Sequence, residues 1–270
     1  MASVPYYFGT MNINDGINFF LTKKTLDSAV LQYQAENISR YIGVKFSGSR
    51  INERPIPVNV RVVGSSRNDL ESKLDTLLGA MQYRQQRLTL HSSDARYYIA
   101  DAIQAQYTLA PGNVVFCDVG LTFMSYLPYA LAPTLSSYTL ASTALTSQGG
   151  GVYASPIQAI TGGGNIFSYP QIVITNTASV SITAITIAQQ TDGMSLSVTQ
   201  TMAQNDILTI FTDPLTTNGL TVTYNNGAPL TFSGAFPLQE PTLTNWQISA
   251  SAASQPSISA VFTWNARWAS

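Results

Sequence analysis

The chain has 270 residues, long for one domain and ample for two, and 45% of them are apolar, so a sizeable core can form. Only 10% are charged, against roughly 25% in an average soluble protein, and a net charge of −1 excludes a global basic field of the kind that condenses onto nucleic acid. A single cysteine, Cys117, excludes an internal disulfide framework and any multi-cysteine metal site.

Thr, Ser, Gln, Asn, Gly and Ala stand where charge is missing, which suits a β-rich protein or a subunit whose surface neighbours cover. Of the 13 Lys and Arg, 12 precede residue 145, as do 10 of the 14 Asp and Glu, so the first half is about +2 and the second about −3. Neither value points to DNA or membrane, but the change in composition divides the chain into two domains. Met1-Ala2-Ser3-Val4-Pro5 has no basic n-region or long apolar stretch, so no signal peptide is expected. No apolar run approaches the roughly 18 residues that span a bilayer, so cytoplasmic synthesis without membrane insertion is expected.

In chain order, residues 28–63 read as strands. Ala29, Leu31 and Tyr33 alternate with Val30, Gln32 and Gln34, a run from Tyr41 to Phe46 follows, and Ile56, Val58, Val60 and Val62 form one buried face. Pro55 and Pro57 bar the start of that strand from a central ladder position. Residues 67–86 are predicted as a helix, with Leu70, Leu74, Leu77, Leu78 and Met81 on one stripe. Ser66 is the expected N-cap, Asp69 completes a capping box, and Arg84 and Arg87 suit the helix dipole near its end. Leu88-Thr89-Leu90 begins a strand, and His91 to Asp94 is a turn. Tyr97 to Tyr107 returns with Tyr97, Ile99 and Ile103 on the buried side. Pro111-Gly112-Asn113 turns again, and Val114 to Tyr126 is a long strand in which Cys117 is a buried small hydrophobe.

Residues 131–165, with Gly149-Gly150-Gly151 and Gly162-Gly163-Gly164, read as a linker or long loop, part of which docks through Leu135, Tyr138 and Leu140. The domains are therefore expected at 1–135 and 165–270, with 136–164 between them. From Tyr169 onward, candidate strands are Gln171–Thr175, Ile182–Ala188, Met194–Gln200, Ile207–Phe211, Leu220–Tyr224, Trp246–Ala250 and Ile258–Trp268. That density of short strands is the pattern of a β-sandwich. In the last, Ile258, Ala260, Phe262, Trp264, Ala266 and Trp268 share one face, and Ser259, Thr263, Asn265 and Arg267 the other.

Catalytic chemistry finds little support in these residues. The only histidine, His91, sits beside Ser92, Ser93 and Asp94 in a turn, whereas a nucleophilic triad is assembled across a fold. One histidine also excludes a multi-His metal site. Asp192, Asp206, Asp213 and Glu240 could supply a glycosidase pair, but the first three read as turn or strand-opening residues. The glycine triplets lack the Lys-Ser/Thr and helix of a phosphate loop. Trp246, Trp264 and Trp268 could stack a sugar, although Trp264 and Trp268 share a face with Ile258 and Phe262, which marks core. The expectation is no enzyme, no cofactor, no metal and no assigned catalytic or binding residue.

The ordered motifs resemble the distal tail protein family of siphophages. Ile56-Pro57-Val58-Asn59-Val60-Arg61-Val62-Val63-Gly64 leads into the helix Asn68–Gln82, then Arg87-Leu88-Thr89-Leu90 and Asp94-Ala95-Arg96-Tyr97-Tyr98-Ile99-Ala100. Leu121 to Tyr129 resembles the family's closing strand. Gly164-Asn165 through Pro170 to Asn176, Asn205 to Ile210, Gly234 to Leu238 and Phe262 to Trp268 resemble its second domain, while Leu243-Thr244-Asn245 departs from the Pro-Gly that often stands there. The resemblance covers nearly the whole chain. It implies a mainly β fold with one helix: an N-terminal β-sandwich or barrel-like ring-forming domain and a C-terminal galectin-like sandwich. It further implies a structural virion protein at the phage tail tip, a hexameric ring with a channel that DNA crosses without specific contact. Implied partners are the tail tube protein, a tail hub or tail-associated lysin, and receptor-binding or fibre proteins. The alternatives are a carbohydrate-binding or receptor-binding module of a phage tail, or a tail tube subunit.

Overall fold

The computed structural model describes residues 5–26, 31–37, 44–51, 53–90, 96–109, 115–127, 129–213 and 219–268, with the backbone alone for 31–51. Among the described residues the fold is mainly β with one helix, and the chain divides into two compact units: residues 1–133 with 268–270, and residues 134–267. Among the described residues no helix is long and apolar enough to cross a membrane.

The first unit opens with β1 (Tyr7–Phe8), β2 (Met11–Asn12), β3 (Phe19–Lys24), β4 (Leu31–Asn37), β5 (Val44–Ile51) and β6 (Arg54–Val63). Helix α1 (Arg67–Ala80) follows, then β7 (Gln86–Thr89), β8 (Tyr97–Tyr107), β9 (Phe116–Ser125) and β10 (Ala130–Leu131). Its main sheet runs β2-β1-β7-β8-β9-β6-β3. The period-two pattern of β6 does what alternation requires: Ile56, Val58, Val60 and Val62 are buried while Pro57, Asn59 and Arg61 face outward. These residues meet Leu70, Leu74 and Leu77 of α1 in one core with Phe8, Leu88, Tyr98 and Phe123. Along β6, β9 pairs from Arg54 onward, but the register with β3 starts only at Val58. The prolines therefore stand where one side of the strand is open, and Pro57 contributes only its carbonyl, to Thr25 N–H.

Helix α1 stops six residues short of the predicted end. Ser66 caps it in extended geometry, its hydroxyl accepting from Asp69 N–H at 3.3 Å. The reciprocal bond goes one residue further back than a capping box, from Ser65 N–H to the Asp69 carboxylate at 2.6 Å. Lys73 at 2.9 Å and these Ser65 bonds hold the Asp69 carboxyl down at about 2. After Ala80 the stripe loses to a tertiary anchor. Buried Asp101 accepts from Arg84, from Gln85 N–H and from Tyr126 Oη, with Gln85 in the left-handed region at φ 51°. Burial opposes ionisation of Asp101, but those bonds outweigh it and keep its pKa low. Arg84 is therefore an Asp101 partner, and the Arg87 guanidinium lies 4.5 Å from the Tyr97 ring; neither serves the helix dipole. In β8 the core face is Tyr98 and Ala100 with Tyr97 also buried, while Ile99 is half-buried and Ile103 exposed. A register shift between Ala102 and Gln104 turns the strand there. Cys117 is buried as expected.

The second unit contains β11 (Ser136–Ala144), β12 (Thr146–Gly149), β13 (Val152–Ala154), β14 (Gln158–Thr161), β15 (Gln171–Asn176) and β16 (Ile182–Gln189). Then come β17 (Met194–Met202), β18 (Ile207–Phe211), β19 (Thr221–Tyr224), β20 (Ser233–Gly234), β21 (Leu243–Ala252) and β22 (Ser257–Trp264), before β23 (Arg267–Trp268) ends the chain's structure. A five-stranded sheet, β11-β22-β15-β18-β19, faces a seven-stranded one, β12-β13-β21-β16-β17-β20 with β14 also on β21. Between them lie Ile172, Ile174, Ile185, Ile187, Leu208, Trp246, Ile248 and Phe262. The linker reading of 136–164 is overturned. β11 pairs with β22 from Ser136↔Trp264 to Ala144↔Ser257, and β14 pairs with β21. Low charge there is the composition of strands with a hydroxyl-bearing outer face, and Leu140, Leu145 and Ile160 bury into the core while Leu135 stays exposed.

Candidate functional site

In the first unit the sheet is left unfinished at two places. β8 pairs with β7 from Tyr97 to Ala100 and with β9 from Ala100 to Tyr107. Beyond Ala100, among the described residues, only β9 pairs with it, and Ile103, Gln104, Ala105, Gln106 and Tyr107 are all exposed. Natural edges are blunted by charge, proline or bulges; this one carries a single bulge and no charge. Nearby on β9, Phe116 is 48% exposed, with the Arg61 guanidinium 4.9 Å above its ring. Arg61 is held by two parallel bonds to Asp118, at 2.8 and 2.9 Å. The second place is the hairpin β4–β5, paired from Leu31↔Ile51 to Asn37↔Val44. Among the described residues no third strand joins it, and a lone two-stranded hairpin is marginal in water.

The four carboxylates of the second unit are all placed. Asp206 accepts from Tyr224 Oη, Asn225 Nδ2 and Ala203 N–H, which fastens a turn and lowers its pKa. Asp213 pairs with Arg267 at 2.7 Å. Arg267, expected on the outer polar face, is buried, its guanidinium 4.3 Å from the Tyr169 ring. Asp192 and Glu240 do come together, which their separation in sequence gave no sign of. Gln189 Nε2 donates to Asp192 at 3.2 Å and to Glu240 at 3.5 Å. Burial, the Asp192 charge and a hydrogen bond with Asp192 raise the Glu240 pKa. Carboxyls in hydrogen-bond contact stand closer than the about 5–9.5 Å that glycoside hydrolysis keeps between its pair. The Asp192–Glu240 pair lacks that spacing. His91 and Pro111 to Asn113 lie outside the described residues.

No tryptophan of the second unit offers a stacking face. Trp246 is fully buried, its indole donating to Gln239 Oε1 at 2.8 Å, and Trp264 is buried with its indole on Gly162 O at 2.6 Å. Trp268, expected to continue the sandwich face, packs against the first unit's core, the Arg96 guanidinium 4.9 Å from its ring. The glycine triplets are structural in different ways. Gly150 has φ 61° with open space around it, whereas a Cβ on Gly164, at φ 79°, would stand 2.2 Å from Arg267 O. A groove of 240 Å³ does open on the second unit, between Gln171, Phe211, Asp213, Thr263 and Asn265.

No protein family's sequence profile and no curated protein sequence matches the chain. Among solved structures, the fold is similar to the SPP1 Dit (gp 19.1) protein, described as a paradigm of the hub adsorption apparatus in Gram-positive infecting phages. The two share 14% identity and a TM-score of 0.65, over 97% of this chain and 98% of that one. A chain of the phage P2 baseplate in its activated conformation with Ca is aligned at 10% identity and a TM-score of 0.41, covering 95% of this chain and 92% of that one. The second score is too low to carry an argument. The first establishes a shared fold along essentially the whole chain.

Proposed function

We propose that this chain is a structural subunit of a bacteriophage tail tip, a distal tail protein of the siphophage type, and not an enzyme. The observation that carries the reading is the fold shared with SPP1 Dit across both units. The first unit supports it independently. Among the described residues the β4–β5 hairpin has no third strand and the edge at 103–107 is uncharged and exposed; further strands stabilise both, and on this reading a second copy of the chain supplies them. Contacts of this head-to-tail kind close by rotation into a ring.

On this reading the first unit forms a hexameric ring whose lumen continues the tail tube, and DNA passes without sequence-specific contact. The second unit projects outward as a galectin-like sandwich. The tail tube protein binds one side of the ring, the tail hub or tail-associated lysin the other, and receptor-binding or fibre proteins the periphery. The subunit is made in the host cytoplasm and resides in the virion. Negative-stain imaging of the purified chain tests this: six-membered rings with a central hole are expected. A variant in which a short Gly-Ser turn replaces residues 31–51 is expected to fold but remain monomeric. Rings that persist without the hairpin would remove it from the interface, and a featureless monomer from the full chain would remove the ring.

A further inference from the structure

The groove on the second unit has no task in the hub reading. Its arrangement follows from strand register. Gln171 on β15 stands opposite Phe211 on β18 and Thr263 on β22, so hydroxyl, amide and aromatic ring form one row on the outer face of the five-stranded sheet. Gln171 is exposed and Phe211 half-buried. Leu135, 65% exposed, and Asn265 complete the lining. Buried Asn265 Oδ1 has no hydrogen-bond partner.

We propose that this groove binds a neutral carbohydrate, one hexopyranose unit of a glycan. Charge argues against an anion: the groove's cation, Arg267, is 4% exposed and already compensated by Asp213 at 2.7 Å. A purely apolar ligand would strip water from the Gln171 and Thr263 side chains and return no hydrogen bond, a loss that burial of one ring does not offset. A pyranose satisfies both demands. Its hydroxyls exchange hydrogen bonds with Gln171 and Thr263, and its C–H face lies on the Phe211 ring beside Leu135. The 240 Å³ is below the about 300–1,000 Å³ of drug-sized pockets, which limits the ligand to about one ring. The proposal stands apart from the hub reading, since a sandwich with this row would bind sugar in any assembly.

The test is saturation-transfer difference NMR on the full chain in its native assembly. The probes are methyl α-glucoside, methyl β-galactoside and N-acetylglucosamine, with inorganic phosphate and glycerol phosphate as anionic comparisons. At least one neutral sugar is expected to give a saturable signal with a Kd of about millimolar order. Gln171→Ala weakens it about tenfold, Thr263→Val less, and Thr199→Val on the other sheet leaves it unchanged. Circular dichroism checks that each variant folds; both groove residues lie on the outer face, away from the core. Silence from all three sugars, a signal from the anions alone, or a signal indifferent to Gln171→Ala and Thr263→Val would overturn the proposal.

Discussion

The two units treat their sheet edges in opposite ways. In the second, β11 crosses through Leu145 alone into β12 of the facing sheet, and the far edges are the four-residue β19 and two-residue β20. Short edges and a strand that turns the corner are how an isolated sandwich avoids pairing with neighbours. In the first unit, among the described residues, β8 runs past its β7 partner and the β4–β5 hairpin has no third strand. The second unit is thus a closed module, while the described residues of the first leave strands without partners. The proposed division of labour follows: the incomplete half assembles, and the closed half is carried.

That contrast makes the units separable in their energetics. Trp246→Ala removes a fully buried indole and orphans its Gln239 partner, costing the second unit about 3–5 kcal/mol. Leu74→Ala, at the centre of the α1 stripe, costs the first unit about 2–5 kcal/mol. Two unfolding transitions are expected in urea, each shifted by one variant only; a single transition shifted by both would contradict separable units. Next in size is Gly164→Ala, where left-handed backbone and a 2.2 Å approach to Arg267 O coincide. It is expected to cost more than the about 1–2 kcal/mol of Gly150→Ala, which meets the backbone penalty without the clash. Equal melting temperatures for the two would show that the second triplet relaxes freely.

Ser66→Ala loses the α1 cap and costs the first unit about 1 kcal/mol, with no change in the second transition. The smallest effect is on pH dependence, and its sign differs between the units. Glu240, raised by burial and then by Asp192, binds its proton more tightly folded than unfolded. Its contribution is full below the ordinary glutamate pKa of about 4.3 and is lost as pH rises through the raised value. Asp69, held at about 2, contributes above the ordinary aspartate pKa of about 3.9 and loses that as pH falls toward its own. Relative to wild type, Glu240→Gln should flatten the second transition's decline above about pH 4.3. Asp69→Asn should flatten the first transition's decline on acidification. Denaturation midpoints across pH measure both, and slopes unchanged by either variant would dismiss these assignments.

Much of this organisation is visible in the residues. Alternation at Ile56 to Val62, the leucine stripe with its Ser66 cap, and the strands from Gln171 to Trp264 rest on local periodicity and turn chemistry, and the structure repeats them within a few residues. What local pattern does not hold is whatever a distant partner decides. The helix end at Ala80 belongs to Asp101, burial of Arg267 to Asp213, and the strand character of 136–164 to β22 and β21. The candidate groove is less legible still, because Gln171, Phe211 and Thr263 become neighbours only through register. Resemblance of the ordered motifs pointed to the same architecture that the shared fold with SPP1 Dit supports.

The central claim is that the first unit is incomplete alone. Sedimentation equilibrium of the full chain over a wide concentration range tests it most directly. The account predicts a closed species of six copies that the 31–51 replacement reduces to one. A chain that sediments as a monomer of 29.1 kDa at every concentration would contradict it.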